Sequence, residues 1–270
     1  MATFHPAAGA LALLLAILPG VAAARAQAQA NDAGMYLQLI TRMQQQGAWF
    51  ASLAHIQAYR QQHGDSPGLQ LAHADALRHT GELEQARHLY AGLLRGPQRA
   101  AALHGLGLLA MQQQRVDEAL EHLRQASALA PLQADYLGDL GYALLSSGQL
   151  AAARAPLAQA AELRPGDGRA VANLALWQLL SGNHQVALQM MQQAGLPEAT
   201  AQAVQAQAVR LRQQWPAPAA SAQAAPAAAP PAVPGFRSAS GTAATTVQPP
   251  GSMLERFATA LPSDPQASTP

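Results

Sequence analysis

The sequence contains no cysteine and no lysine, and only 4% of its residues are aromatic. Without cysteine the chain cannot form disulfides, thiolate nucleophiles or cysteine zinc sites. All 16 basic residues are arginine, and with 15 acidic residues they leave a net charge of +1. Since the chain is nearly neutral and no basic face carries interleaved aromatic residues, we expect no nucleic-acid partner.

The apolar run near the start of the chain is short. Residues 7–18 form an apolar stretch of 12 residues, well below the ~20 needed to span a bilayer. Pro19-Gly20 and an alanine-rich segment with A-x-A cleavage patterns follow it. This arrangement predicts a secretory signal peptide at residues 1–26 and an exported, periplasmic mature chain without an integral membrane span. An uncleaved anchor and a buried helix are the alternatives.

What the sequence does contain is a repeat with a period of 34 residues. Alanines recur at Ala86, Ala119, Ala153 and Ala187, which are 33, 34 and 34 residues apart. A bulky apolar residue follows each alanine by four positions, and a glycine precedes three of them by five positions. This pattern predicts tetratricopeptide (TPR) repeats, and therefore an all-α solenoid, a right-handed superhelix of helix-turn-helix units.

Residue types in the fourth repeat follow from the geometry of a helix pair. Leu137 and Leu144 share one stripe of the first helix. Gly141 and Ala153 are small, so we expect the two helices to cross closely at these positions. Gly148 is expected to end the first helix in the left-handed conformation that glycine adopts readily. In the third repeat, Gln114 occupies the position of this glycine.

The repeat pattern also sets the predicted domain boundaries. We expect a degenerate first repeat at residues 32–66, four repeats at residues 67–197, and an amphipathic capping helix at residues 198–214. The Ala/Pro-rich composition of residues 215–270 predicts a disordered tail. Within this tail, residues 253–261 have helical spacing, which indicates either a short partner-docking helix or a few isolated apolar residues.

No arrangement of residues indicates catalysis. None of the nine histidines forms an H-x3-H pair on one helical face, and the sequence has no glycine-rich phosphate loop after a strand. We therefore predict that the chain is not an enzyme and has no cofactor, catalytic residue or metal ligand.

The predicted function lies in the groove formed by the first helix of each repeat. Such a surface binds an extended or helical peptide of a protein partner. In its C-terminal half we expect an apolar floor with polar walls. Co-chaperone TPR domains clamp a carboxylate with lysine and asparagine at the second and sixth positions of the first helix. Here these positions hold Asp135 and Asp139 in the fourth repeat and Arg169 and Asn173 in the fifth, so that clamp is absent. The candidate partner-binding residues are Asp75, Arg78, His104, Met111, Asp135, Asp139, Tyr142, Arg169, Asn173, Leu176 and Leu179.

Several phrases of the sequence resemble one family of TPR proteins. They include Ala74-Asp75-Ala76-Leu77-Arg78, His104-Gly105-Leu106-Gly107-Leu108 and Asp139-Leu140-Gly141-Tyr142-Ala143-Leu144-Leu145. Over residues 68–200 the chain resembles TadD-type proteins, the TPR component of bacterial tight-adherence (Flp) pilus assembly systems. The resemblance implies a periplasmic factor at the outer membrane that aids secretin assembly or localisation, with no enzyme activity and no cofactor.

One departure from this family bears on localisation. TadD-type proteins are often lipoproteins with a cysteine after the signal peptide, and this chain has no cysteine. Any attachment to the outer membrane is therefore expected to be peripheral, through partners such as a secretin. The alternatives are a TPR scaffold of another envelope secretion or polysaccharide-export system and, as a different class, a metal-dependent periplasmic hydrolase.

Overall fold

A computed structural model describes residue 27 and residues 30–215, and every regular element in this range is an α-helix. The predicted signal peptide and all of the predicted tail except its first residue, Trp215, lie outside the described residues, as do residues 253–261. In chain order the helices are α1 (residues 30–45), α2 (Trp49–His63), α3 (Pro67–Thr80), α4 (Leu83–Gly92), α5 (Arg99–Gln112), α6 (Val116–Leu129), α7 (Ala134–Ser146), α8 (Leu150–Leu163), α9 (Gly168–Leu180), α10 (His184–Gln193) and α11 (Glu198–Gln214).

The chain forms two compact units, an N-terminal unit that ends at Leu129 and a C-terminal unit that begins at Ala130. In each unit, helices that follow one another in the sequence pack as pairs, with the closest packing in α3–α4, α5–α6 and α7–α8. The all-α prediction is confirmed. Among residues 30–215, no helix combines the length and the apolar character needed to cross a membrane.

The helices of a pair cross closely at the predicted small residues. A Cβ atom added to Gly141 of α7 would lie 2.3 Å from Cδ2 of Leu157 and 2.4 Å from its Cγ on α8. One repeat earlier, a Cβ atom on Gly107 would lie 2.6 Å from Cγ of Leu123. Ala153 is also fully buried. The prediction that these residues are small because the helices cross there is confirmed.

The turn between the two helices of a pair uses the left-handed backbone conformation. Gly148 has a φ of +78°, as predicted, and its N–H donates to the Leu145 carbonyl. Gln114, at the equivalent position of the third repeat, also has a positive φ of 58°, and it is the one non-glycine residue with a positive φ in the described part of the chain. The repeat therefore keeps its turn geometry, although the left-handed conformation costs an L-residue about 1–2 kcal/mol.

Helix α11 does not continue the stack of pairs. Within the repeats, α9 packs against both helices of the preceding pair, α7 and α8, whereas α11 packs chiefly against α9 and hardly against α10. We call the surface formed by the first helices of the pairs the A face: α3 and α5 in the N-terminal unit, α7 and α9 in the C-terminal unit. Helix α11 therefore caps the C-terminal unit across its A face.

Candidate partner-binding site

The A face of the C-terminal unit holds α11 through backbone carbonyls. Arg212 donates from Nη2 to the carbonyls of Leu179 at 2.8 Å and Leu180 at 3.2 Å. Trp215 donates from Nε1 to the carbonyl of Leu145 at 2.9 Å. The last four carbonyls of any α-helix lack partners within the helix. Arg212 and Trp215 therefore supply donors to the ends of α9 and α7, respectively.

The two principal carbonyl acceptors occupy the same position in successive repeats. Leu145 and Leu179 are 34 residues apart, which is one repeat period. Each of their carbonyls also accepts the N–H of the glycine in the following turn, Gly148 or Gly182. The contacts of α11 thus match the spacing of the repeats, and they do so through the main chain.

The apolar residues predicted for this face lie on α9, the helix against which α11 packs. Leu176 and Leu179, which we expected to form an apolar floor, are only 3% and 4% exposed. They are covered within the chain, and their role in partner binding stays a prediction. The buried side chains that α11 contributes are Ala208 and Leu211.

Tyr142, the third predicted residue of this region, also contacts α11. Its hydroxyl accepts a hydrogen bond from Nε2 of Gln207 at 2.9 Å, and its ring is half-buried. Close by, the Trp215 indole lies 3.5 Å from the place where Gly148 would carry a Cβ atom. The Tyr142 hydroxyl on α7 and the Leu179 carbonyl on α9 therefore both bind a helix of the same chain. That Tyr142, Leu176 and Leu179 form a partner-binding surface stays a prediction.

The residues predicted to form the polar walls make ion pairs or hydrogen bonds within the chain. Asp135 accepts two hydrogen bonds from Arg164, at 2.9 and 2.7 Å. These hydrogen bonds, together with the negative charge of the Asp135 carboxylate, raise the pKa of Arg164. Asp139, which is 6% exposed, forms an ion pair with Arg169. Asn173 donates to the backbone carbonyl of residue 138 at 3.4 Å. Asp135, Asp139, Arg169 and Asn173 thus connect α7 to α9 and to the loop before it.

In the N-terminal unit, Asp75 and Arg78 belong to an internal cluster. The Tyr90 hydroxyl donates to Oδ1 of Asp75 at 2.6 Å and accepts from Nε of Arg78 at 3.4 Å. Burial raises the pKa of Asp75. The pKa of Tyr90 is also raised, chiefly by burial and to a smaller extent by the charge of Asp75. The Tyr90 ring fills the space beside Gly105, where a Cβ atom would lie 2.3 Å from the ring. This cluster ties α3 and α4 to α5.

His79 lies exposed at the end of α3 and has a lowered pKa. Its ring stacks on Trp49 with centroids 3.6 Å apart, and its Nε2 lies 2.8 Å from Nη2 of Arg78. Desolvation and then the Arg78 charge lower the pKa of His79 to about 4. His104 and Met111, the other predicted residues of this unit, lie half-buried on α5. Their role in partner binding stays a prediction.

Four residues that contact the predicted site were missed from the sequence: Arg164, Gln207, Arg212 and Trp215. Two of them carried a usable signal. Trp215 directly follows an amphipathic helix and precedes Pro216, and Arg212 lies in the last turn of that helix. Arginine side chains near a helix C-terminus commonly bind terminal carbonyls. Here, however, the carbonyls belong to α9, which only the tertiary structure reveals.

Paired helices with a 34-residue register and small residues at the crossings define a helical-repeat protein. The family model of the tetratricopeptide repeat matches residues 71–134 and 104–168. The TPR repeat-containing protein PA4299 of Pseudomonas aeruginosa is 30% identical over 198 residues, which cover 72% of this chain and 78% of that protein. This chain belongs to the tetratricopeptide-repeat family.

Two solved structures are similar to this chain. A structure of pilF from Pseudomonas aeruginosa matches with a TM-score of 0.55 at 19% identity, over 69% of this chain and 87% of that chain. MamA from Desulfovibrio magneticus RS-1 matches with a TM-score of 0.46 at 20% identity, over 60% of this chain and 92% of that chain. The similarity to pilF supports the TPR fold and gives no information on function.

Proposed function

We propose that this chain is a non-enzymatic periplasmic scaffold that binds protein partners on its A faces during assembly of a tight-adherence (Flp-type) pilus and its secretin. The observation that carries the binding role is the A face of the C-terminal unit, which holds a helix through apolar contacts and main-chain carbonyls. An amphipathic helix in a groove is a common mode of protein recognition.

The cellular part of the proposal rests on the sequence. The signal-peptide pattern of residues 1–26 supports export, and the resemblance to TadD-type proteins over residues 68–200 supports the pilus system. A scaffold of another envelope secretion or polysaccharide-export system would have the same fold and the same binding surface. A metal-dependent hydrolase has less support, because the described residues contain no group of three or more His, Asp or Glu placed to hold a metal ion.

The test uses a strain that lacks the gene, complemented with the wild-type chain or with Met111→Glu. Met111 is half-buried on the A face of the N-terminal unit, and the neighbouring residue Gln112 is exposed on the same helix. A carboxylate at position 111 should reduce secretin co-purification and pilus display, whereas Gln112→Glu should preserve both. Circular dichroism and matched expression establish that both variants are folded.

Three outcomes would contradict the proposal. Normal pilus display by the deletion strain would remove the pilus role. Equal loss of secretin by Met111→Glu and Gln112→Glu would remove the A face of the N-terminal unit as the binding surface. Recovery of the chain from the cytoplasmic fraction, with no processed form in the periplasm, would remove the proposed location.

A further inference from the structure

Helix α11 is long, but few of its own residues are buried. It has 17 residues, of which Ala208 and Leu211 are buried, whereas eight of the 13 residues of α9 are buried. Burial of apolar surface is the main force that holds a helix in place. Segments with few buried apolar contacts open locally at a lower free energy than the core. Detachment of α11 should therefore precede unfolding of α7–α10.

The helix that α11 packs against, α9, carries large apolar residues. Leu176 and Leu179 of α9 are at most 4% exposed. On detachment of α11, the carbonyls of Leu145 and Leu179 would lose the donors that α11 supplies. A face with these properties favours an occupant, and a helix of another protein with the same pattern would satisfy the same groups.

We propose that the A face of the C-terminal unit is a binding site for an amphipathic helix of a partner protein, and that α11 is the internal occupant which this helix displaces. The proposal rests on the function proposed above and names the class of ligand and its regulation. The structure defines the ligand pattern through Ala208, Leu211, Arg212 and Trp215. The partner helix carries small and large apolar residues at i and i+3, an arginine at i+4, and a tryptophan at i+7.

The connection between α10 and α11 makes α11 a strong competitor. Only Ala194 to Pro197 separate the two helices, so α11 rebinds as an intramolecular ligand. A short tether gives an effective concentration in the millimolar range. The apparent affinity for a partner helix is reduced by the fraction of molecules in which the face is open. Weakening α11 should therefore tighten binding of a helix supplied in trans.

The experiment measures binding of a fluorescent synthetic peptide of residues 198–215 to the full chain by anisotropy. Leu211→Asp weakens α11 because Leu211 is 2% exposed, and Val209→Asp is the matched control because Val209 is 56% exposed on the same helix. We expect Leu211→Asp to bind the peptide at least about tenfold more tightly than the wild type or Val209→Asp. A peptide that itself carries Leu211→Asp should not bind.

Hydrogen exchange of the wild-type chain provides a second measurement that does not depend on the fold of a variant. We expect amides of α11 to exchange faster than those of α9, and addition of the peptide to deprotect α11 while α9 stays protected. Equal protection of α11 and α9 would overturn the proposal, as would failure of folded Leu211→Asp to bind the peptide. Both assays use purified protein, so their failure leaves the secretin and pilus tests of the proposed function independent.

Discussion

Two glycines of α7 that lie three residues apart should respond oppositely to alanine. A Cβ atom at Gly141 would meet Leu157 at 2.3 and 2.4 Å, although carbon atoms in contact normally lie 3.5–4.0 Å apart. Leu157 is fully buried and cannot move into solvent. A Cβ atom at Gly138 would have nothing closer than the Asn173 amide nitrogen, at 3.7 Å.

The magnitudes follow from two opposing effects. Replacing glycine by alanine inside a helix stabilises it by about 1 kcal/mol. Adding a methyl group to a filled core costs about 1–3 kcal/mol, because the neighbours must move. We therefore expect Gly141→Ala to lower the free energy of unfolding by about 1 kcal/mol. Gly138→Ala should raise it by about 0.5–1 kcal/mol, since only the helix propensity applies.

Urea denaturation followed by far-UV circular dichroism measures the difference. With a urea dependence of about 2 kcal/mol per M, the two variants should differ in midpoint by about 1 M, on opposite sides of the wild type. Gln159→Ala is a neutral control because Gln159 is exposed on α8. If Gly141→Ala unfolds at the same urea concentration as the wild type or above it, the close crossing of α7 and α8 is refuted.

Three further predictions concern stability. Ala153→Leu should lower the free energy of unfolding by about 1–3 kcal/mol, because it overpacks the crossing of α7 and α8. Gln159→Leu should change it by less than about 0.5 kcal/mol. Equal shifts in urea midpoint would contradict the assignment of these positions within the repeat. Gln114→Gly should stabilise the chain by up to about 1 kcal/mol by relieving the left-handed strain, and a lower thermal midpoint would count against this account. The folded chain disfavours protonated His79, whose pKa is lowered from 6.5 to about 4. Between pH 6.5 and about pH 4 the unfolded chain therefore binds more protons than the folded chain. The free energy of unfolding should fall as the pH is lowered through this range. His79→Phe keeps a ring on Trp49 and should make that decline shallower; an unchanged pH profile of the urea midpoint would exclude His79 as its source.

The helical pairs were predictable because the repeat puts the same steric demand at the same position each time. Gly141 and Gly148 show this, since one is required by a close crossing and the other by a left-handed turn. At Gln114 the repeat geometry overrides the residue type, so that a glutamine adopts the conformation of the missing glycine. The periodic pattern alone therefore located this turn.

The placement of α11 could not be predicted from its own sequence. Its apolar spacing indicates an amphipathic helix, but the same stripe could pack on the end of the last pair or across the A face. Tertiary contacts decide between these surfaces, through Arg212 and Trp215 and the carbonyls that they reach. For the same reason the sequence could not show that Leu176 and Leu179 are covered.

The use of main-chain carbonyls by α11 has a consequence for how this surface tolerates mutation. The acceptors at Leu145 and Leu179 are peptide groups, so substitution of either side chain leaves the oxygen in place as long as the helix ends persist. Directional contacts at this face are therefore robust to sequence drift in α7 and α9. Changes in binding preference would then arise mainly in the helix that supplies the donors, which lets partner and receptor diverge at different rates.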